Sequence, residues 1–345
     1  MADASSPSEI PQRRSSRTAL FTPFILLFIA CVLWSGFWFW SKSQVATAIE
    51  TLRVAEATRG NALTCETETL GGYPFRLEWR CAGLQAQIAA ESPDALAVRA
   101  SSAVVVAQIY NPSLIIAEAT GPITVNNERL TSEVTFETAR ASVKIEDRLP
   151  ARASIIATSV EGSAIVDGQE LPSAQSASVE LHVRRNEEDL KPKPDLDVVV
   201  RTNALTLGAD ETEWTSDVSA TLFDVPANQN LDRDGLRQWL IGPGSLGLRE
   251  ARITDGTLTA VGRGAIDASD TGLINGDIEL GVSGSFSDAG GDGSGNANLT
   301  LLQTALSFFG RDEEVLGEPG RVVDVSIRSG AVQLGGLPVA TLPPL

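Results

Sequence analysis

The segment that decides how this chain is organised is ALFTPFILLFIACVLWSGFWFW, residues 19–40. It contains no Asp, Glu, Lys, Arg or His, and as a helix it would be about 33 Å long. That length crosses the hydrocarbon core of a bilayer, so the sequence predicts a transmembrane anchor from Ala19 to Trp40. A cleaved secretion signal is the alternative, but such a signal has a shorter apolar core and does not end in a cluster of bulky aromatic rings.

The charges that flank the anchor predict its orientation. Arg13, Arg14 and Arg17 precede the span, and positively charged flanks stay in the cytoplasm. Residues 1–18 are therefore expected to form a short cytoplasmic tail, and the rest of the chain is expected to be exported. The whole chain carries a net charge of -17, and the tail carries +1, so the remainder carries -18. Such an acidic surface repels nucleic acid, and we expect no nucleic-acid partner.

Two of the three cysteines lie in the predicted exported part. Cys65 and Cys81 bracket a segment with Gly71-Gly72 near its midpoint, so a hairpin would bring the two cysteines together. Disulfides persist outside the cytoplasm, and a bridge closing a loop of about 15 residues contributes about 3 kcal/mol. A metal site is the alternative, but two cysteines without a nearby histidine make a poor one. We therefore predict a disulfide and no bound metal.

The hydrophobic period divides the rest of the chain into a helix and a β-rich domain. Residues 41–60 place apolar side chains on one helical stripe and end at Gly60, which predicts a helical linker. From residue 61 to residue 345 the period is two, as in the alternation of Leu77 and Trp79 with charged neighbours. The predicted fold is mainly β: the transmembrane helix is followed by a long antiparallel β-sheet, curved or groove-like, with a few covering helices.

Local signals place the turns and the later helices. Turns are predicted at the dipeptides Asn126-Asn127, Asp167-Gly168, Asp255-Gly256 and Asn275-Gly276. Helical periodicity returns at 231–241 and at 298–309, and the glycine-rich segment 288–298 between them is expected to be a loop. The sequence leaves open whether the sheet closes on itself, is covered by these helices, or retains an apolar groove.

Catalysis is not expected. The single histidine, His182, shares the parity of Glu180 in an alternating strand, which places it on the solvent-facing side. Asp195 and Asp197 would share a strand face, but an acidic pair is common by chance in so acidic a chain. Nucleophile elbows, phosphate loops and dinucleotide fingerprints are absent, so no catalytic residue and no cofactor is predicted.

Three segments resemble a known family: GGYPFRLEWRC at 71–81, QIYNPSLIIAEATGP at 108–122 and GAVQLGGLPVATLPPL at 330–345. Together they are similar to a bacterial family called domain of unknown function 2125. The resemblance implies an N-terminal membrane anchor, a helix, a turn motif between two cysteines and β-rich sequence to a proline-rich end. The turn motif maps to Gly72, Tyr73, Pro74, Phe75 and Arg76. The biochemistry of that family is uncharacterised, so the resemblance implies an architecture and no mechanism.

A second resemblance suggests a function. The hairpins GTLTAVGRGAID at 256–267 and GLINGDIEL at 272–280 are similar to those of AsmA-like envelope proteins. Those are β proteins of the periplasm, anchored in the inner membrane and implicated in moving phospholipid. The resemblance implies an inner-membrane-anchored periplasmic protein that binds or transfers phospholipid on an apolar face of its sheet. The alternative is an envelope scaffold that binds another protein. In that case Tyr73-Pro74-Phe75 is an exposed tip for a partner instead of a turn whose rings plug one end of the sheet.

Overall fold

The computed structural model describes residues 17–88, 95–146, 149–186, 193–226, 233–284, 304, 306–334 and 336–344. Within these ranges the chain forms a long N-terminal helix, nineteen β-strands, a second helix and a helical turn at 306–309. The predicted mainly β fold is confirmed, and its strands belong to one antiparallel sheet. The predicted loop at 288–298 and most of the predicted helix at 298–309 lie outside the described residues.

The first helix, α1 (Arg17–Ala57), joins the predicted anchor and the predicted linker without interruption. Its 41 residues make it about 61 Å long. From Phe21 onward it is long and apolar enough to cross a membrane, and the side chains from Phe21 to Val32 are exposed instead of packed on the sheet. The helix ends three residues before Gly60, whose φ of 76° is a left-handed conformation that glycine adopts without strain. α1 is therefore a candidate membrane anchor that continues into the folded domain.

The strands follow one another along the chain. They are β1 (Ala62–Thr64), β2 (Thr67–Gly71), β3 (Arg76–Ile88), β4 (Leu96–Gln108), β5 (Asn111–Asn126), β6 (Leu130–Thr135), β7 (Thr138–Glu146), β8 (Leu149–Val166), β9 (Gln169–Glu170), β10 (Ala174–Arg185), β11 (Leu196–Leu207), β12 (Asp210–Phe223), β13 (Ser245–Thr254), β14 (Leu258–Ala268), β15 (Ile274–Gly284), β16 (Arg311–Val315), β17 (Glu318–Arg328), β18 (Ala331–Leu334) and β19 (Leu337–Thr341). The second helix, α2 (Arg233–Ile241), lies between β12 and β13 and confirms the predicted helix there.

Nearly every strand pairs with the next strand in the chain. β1 and β2 both pair with one edge of β3, and the sheet then runs through β4 and β5 to β8. β6 and β7 share one position between β5 and β8, because Phe136 and Glu137 interrupt what is otherwise a single strand. The order continues through β10–β15 to β17, which pairs with β16 and β18 on its far side. Among the described strands no pairing joins the two ends, so the sheet is open.

One predicted turn is wrong. Asn275 and Gly276 lie inside β15, and the chain reverses earlier, where Gly272 has a φ of 80° and donates to the carbonyl of Ser269. Gly276 has a different role, because a Cβ there would lie 2.5 Å from the carbonyl oxygen of Ala265 on β14. This glycine permits a close approach of two strands. By contrast, the turn at Asp167-Gly168 is confirmed, with both residues at positive φ between β8 and β9.

The sheet is a single layer over most of its extent. Among the described residues only fourteen apolar side chains are buried, and strand contacts are made almost entirely with neighbouring strands of the same sheet. A fully buried cluster lies near the C-terminal end, where Leu306 of the helical turn packs on Leu258, Val282 and Val323. These three residues come from β14, β15 and β17, so the turn at 306–309 covers one face of those strands. Most of the remaining apolar residues are only partly buried.

Replacing Leu306 should destabilise the C-terminal part of the sheet. Leu306 is 2 % exposed, so Leu306→Ala removes buried methyl groups and leaves a cavity, at a cost of about 2–5 kcal/mol in the free energy of unfolding. Urea unfolding of the detergent-solubilised chain, followed by circular dichroism, measures the loss. Phe308→Ala is the matched control, since Phe308 in the same turn is 80 % exposed and its loss should change little. Equal effects of the two substitutions would contradict this packing.

Candidate functional site

An apolar groove of about 680 Å³ lies between α1 and the first strands of the sheet. Its helix side is formed by Phe37, Trp40, Ser41, Gln44, Val45, Ile49 and Leu52, and its sheet side by Leu63, Leu70, Leu77, Trp79, Val105, Ala107, Gln108, Ile109, Pro112 and Ile115. None of these side chains carries a charge. A volume of this size is typical of sites that hold a small ligand.

The helix side of the groove follows from the helical period. Val45, Ile49 and Leu52 are separated by four and three residues, so they lie above one another on one face of α1. They belong to the apolar helix face whose spacing predicted the linker helix. Phe37 and Trp40 extend the same face into the predicted span. The groove therefore begins beside the end of the candidate anchor and continues along the helix beyond it.

The sheet side of the groove follows from strand register. Leu77 on β3 is paired with Ala107 on β4, which is paired with Ile115 on β5. Directly paired residues project from the same face of a sheet. These side chains therefore form a row across three strands beneath α1. Trp79 and Val105 begin a second, parallel row.

We call the end of the groove at Phe37 and Trp40 its inner end and the opposite end, toward the end of α1, its outer end. A polar clamp holds α1 to the sheet near the outer end. Arg53 of α1 donates to Glu68 of β2 at 2.7 Å, and the indole nitrogen of Trp79 donates to the other oxygen of Glu68 at 2.5 Å. These bonds lower the pKa of Glu68, with the bond from Trp79 as the larger cause and the bond from Arg53 as the next. The carboxylate therefore links the helix, the edge strand and the floor of the groove. We call these three residues the outer clamp.

The predicted turn motif forms a second clamp at the inner end of the groove. The indole of Trp34 donates to the carbonyl of Pro74 at 2.9 Å, and the indole of Trp38 donates to the carbonyl of Arg76 at 3.0 Å. The hydroxyls of Ser35 and Tyr73 are 2.9 Å apart. We call these contacts the inner clamp. They attach the turn between β2 and β3 to the last part of the predicted span.

The backbone of the motif explains its sequence. Gly72 has a φ of 99°, and a Cβ there would lie 2.7 Å from the carbonyl oxygen of Arg76, so the position requires glycine. The structural interpretation of the motif expected the rings of Tyr73 and Phe75 to plug one end of the sheet, and they do not. They lie against α1, with ring centroids 5.4 Å from Trp38 and 6.1 Å from Trp34, respectively.

The predicted disulfide between Cys65 and Cys81 is present in the structure. It joins the segment between β1 and β2 to the middle of β3, with a Cα–Cα distance of 5.4 Å. Cys81 is fully buried. The bridge therefore fixes the edge strands that carry Leu63, Leu70 and the outer clamp. Cys31, in α1, is free and exposed.

Apolar residues continue from the groove across the whole sheet. Two adjacent rows of directly paired residues contain only Ala, Val, Leu, Ile, Gly and, at one end, Trp. The first row is Leu77, Ala107, Ile115, Val143, Ala153, Val183, Val198, Ala220, Leu248, Gly264, Ile278, Val325 and Leu334, and the second row is Trp79, Val105, Ala117, Ala141, Ile155, Leu181, Val200, Val218, Ala251, Gly262, Leu280 and Val323.

We call these two rows the apolar stripe. It crosses thirteen strand positions, which at about 4.8 Å per step corresponds to about 58 Å. The groove lies at its first end, and the cluster around Leu306 covers its last end. Between these ends, from β7 to β11, no described helix packs on it, and Ile155 is 47 % exposed, whereas Ala220 on β12, next to the strand end that Trp239 of α2 contacts, is 8 % exposed. The described part of the chain thus leaves the middle of the stripe uncovered.

The opposite face of the same strands is polar. One row of directly paired residues on this face contains Arg80, Glu118, Arg140, Glu180, Arg201, Asp217 and Arg252, with Val104 and Ile156 as its apolar members. Neighbouring members form cross-strand ion pairs, such as Arg140 with Glu118 at 2.9 Å and Arg201 with Asp217 at 3.0 Å. The two faces therefore differ in chemistry along most of the sheet.

The titratable candidates lie on or beside this polar face. His182 contacts the hydroxyl of Ser154 at 2.9 Å and the carboxylate of Glu180 at 3.1 Å, so the predicted shared face is confirmed. Asp195 is buried and accepts the backbone N–H of Asp224, whereas Asp197 accepts the hydroxyl of Thr221. Each carboxylate thus has a separate structural partner. In the described ranges no three His, Cys, Asp or Glu side chains are grouped to hold a metal ion.

Comparison with known proteins gives one result that bears on this site. A family model described as "Uncharacterized protein conserved in bacteria (DUF2125)" matches residues 38–343. The chain belongs to the DUF2125 family. No curated protein and no solved structure matches it significantly. The DUF2125 match begins at Trp38 and so includes the outer clamp, the apolar stripe and every groove residue except Phe37.

Part of this site is predicted by the sequence: the turn motif, the disulfide and the apolar face of the linker helix. Glu68 and the sheet residues Val105 and Ile115 were not predicted, and these two sheet residues line the groove. The segment AVVVAQIY, residues 103–110, is the signal that could have indicated them, because it is apolar on both strand faces.

The outer clamp should weaken at acidic pH. The folded state lowers the pKa of Glu68, so the clamp contributes its full stability above the ordinary value of about 4.5 and loses it as the pH falls through the folded-state pKa. Glu68→Gln should reduce the free energy of unfolding by about 1 kcal/mol at neutral pH. It should also reduce the amount by which hydrogen exchange in α1 increases as the pH falls. Hydrogen exchange of residues 45–57 as a function of pH measures this.

Glu50→Gln is the control for this substitution. Glu50 is an exposed partner of the same arginine, Arg53, at 3.8 Å, and should contribute little. If Glu68→Gln and Glu50→Gln gave the same exchange profile, Glu68 would not hold the helix to the sheet.

Proposed function

We propose that this protein binds the acyl chains of phospholipids in the groove beneath α1 and passes them along the apolar stripe. In this proposal α1 anchors the protein in the inner membrane, with its N-terminus in the cytoplasm and its bulk in the periplasm. The observation that carries the proposal is the continuity of the stripe with the groove. An uncharged path leads from the candidate anchor across the sheet, and the described part of the chain leaves its middle uncovered.

The chemistry of the two faces supports a lipid ligand. A soluble domain does not ordinarily leave a long apolar surface in water, and such surfaces mark sites that bind a ligand, a membrane or a protein. An acyl chain contributes about 0.8 kcal/mol per buried CH₂, or about 12 kcal/mol for sixteen carbons. This value is similar to the free energy that the acyl chain loses when it leaves a bilayer. A lipid could therefore exchange between the membrane and the groove near equilibrium.

Two features support the proposed location. The disulfide between Cys65 and Cys81 favours an oxidising compartment, such as the periplasm. The three arginines that precede or begin α1 favour a cytoplasmic N-terminus. With this orientation the groove faces the periplasmic leaflet, since its lining begins at Phe37 near the end of the apolar run.

Photo-crosslinking at two neighbouring residues tests the proposal. Ile155 belongs to the stripe and is 47 % exposed, whereas Ile156 is 39 % exposed on the polar face of the same strand. A photoreactive amino acid in place of Ile155, activated in cells, should attach phospholipid, because acyl chains follow the stripe. The same amino acid in place of Ile156 should attach several-fold less. Mass spectrometry of the purified adducts identifies what is bound.

Two outcomes would contradict the proposal. Equal lipid labelling at Ile155 and Ile156 would indicate non-specific contact with lipid. A single dominant protein adduct at Ile155, without lipid, would support the alternative of an envelope scaffold whose partner covers the stripe.

A further inference from the structure

Three exposed aromatic residues lie on two neighbouring turns at the inner clamp, to which Tyr73 itself belongs. Tyr73, Phe75 and Tyr110 are 55 %, 61 % and 66 % exposed, respectively. The backbone N–H of Ile109 donates to the carbonyl of Phe75 at 3.1 Å, which holds the turn before β5 against the turn before β3. We call these three residues the aromatic tip. It contains both tyrosines of the chain.

The inner clamp fixes the position of the aromatic tip along α1. Phe75 contacts the ring of Trp34, and Pro74 accepts a hydrogen bond from the same indole. Trp34 is six residues, or about 9 Å, before Trp40, the last residue of the uncharged apolar run. When α1 spans a bilayer, the tip therefore lies at the depth of the last turns of the span. Exposed rings at this level face lipid.

The composition around the tip fits the boundary between hydrocarbon and headgroups. Residues 103–117 contain no charged side chain. Lys42 lies 5.7 Å from the centre of the Trp38 ring, and the exposed Arg76 follows Phe75. Glu78, the next carboxylate along β3, is buried and is paired with Arg76 at 3.0 Å. Tyrosine and tryptophan rings with neighbouring lysine or arginine are typical of membrane interfaces. The rest of the exported part is strongly acidic.

We propose that the aromatic tip inserts into the periplasmic leaflet and forms a second membrane attachment beside α1. The partner is the bilayer surface itself. The attachment holds the first strands of the sheet against the membrane and fixes the inner end of the groove, at Phe37 and Trp40, within the leaflet. The inference depends on α1 spanning the membrane but not on the transfer of lipid along the stripe.

Fluorescence quenching of the full chain in liposomes tests this attachment. The liposomes contain phosphatidylcholine and phosphatidylglycerol, and Cys31→Ala removes the free thiol. A small fluorophore is attached in separate variants, Phe75→Cys and Tyr110→Cys, with Leu27→Cys in the span and Val339→Cys on the exposed strand β19 as references. Labels at 75 and 110 should be quenched several-fold more by nitroxide-bearing lipid than the label at 339. They should also be protected several-fold from iodide.

The two references separate the possible failures. If the labels at 75 and 110 behave like the label at 339 while the label at 27 is quenched by lipid, the inserted tip is wrong and the lipid-binding proposal is unaffected. If the label at 27 is quenched by iodide, α1 does not span the bilayer and the tip is wrong for that reason. Tyr110 gives a second position in case a substitution of Phe75 disturbs the inner clamp. Protection of both labels from iodide without lipid quenching would indicate a protein contact and would also overturn the proposal.

Discussion

The structure depends on one constraint: a single-layer sheet has an apolar face that something must cover. In an ordinary two-layer domain a second sheet or a row of helices performs this role. Here α1 lies over the first strands and the helical turn at 306–309 packs on the last ones. The second helix, α2, contacts β14, and its buried Trp239 donates to Phe223 of β12. Among the described residues no helix covers the strands from β7 to β11. A mobile apolar ligand that is available in a membrane would satisfy this constraint.

The contacts between α1 and the sheet show why a groove remains there. Both clamps contain polar bonds: Arg53 and Trp79 meet at Glu68, and the indoles of Trp34 and Trp38, which also pack on the rings of the turn motif, donate to backbone carbonyls. Between the two clamps, direct packing of apolar side chains would close the space between the helix and the strands. Polar contacts at the two ends instead support α1 across an uncharged gap. The groove is thus a consequence of how the helix is attached.

The sequence predicted the class of fold and the anchor because both depend on local periodicity. The alternation at Leu77 and Trp79 and the apolar run at 19–40 each lie within one element. The apolar stripe could not be predicted in the same way, because it depends on the register of thirteen strand positions and a shift of one residue would reverse a face. Val198 and Val200 belong to the stripe and Val199 projects from the opposite face, but all three are valine, so the sequence of β11 does not indicate which face is which. Gly276 resembled a turn residue but serves strand packing.

The most direct measurement of the central claim is the amount of phospholipid that the purified full chain retains, determined by mass spectrometry for two matched substitutions. Ile115 lines the groove, and Ile116 projects from the opposite face of β5. Ile115→Trp should fill the groove and reduce the retained lipid several-fold, and Ile116→Trp should leave it unchanged. Equal retention by both variants, or no retained lipid in the unsubstituted protein, would contradict a groove that holds acyl chains.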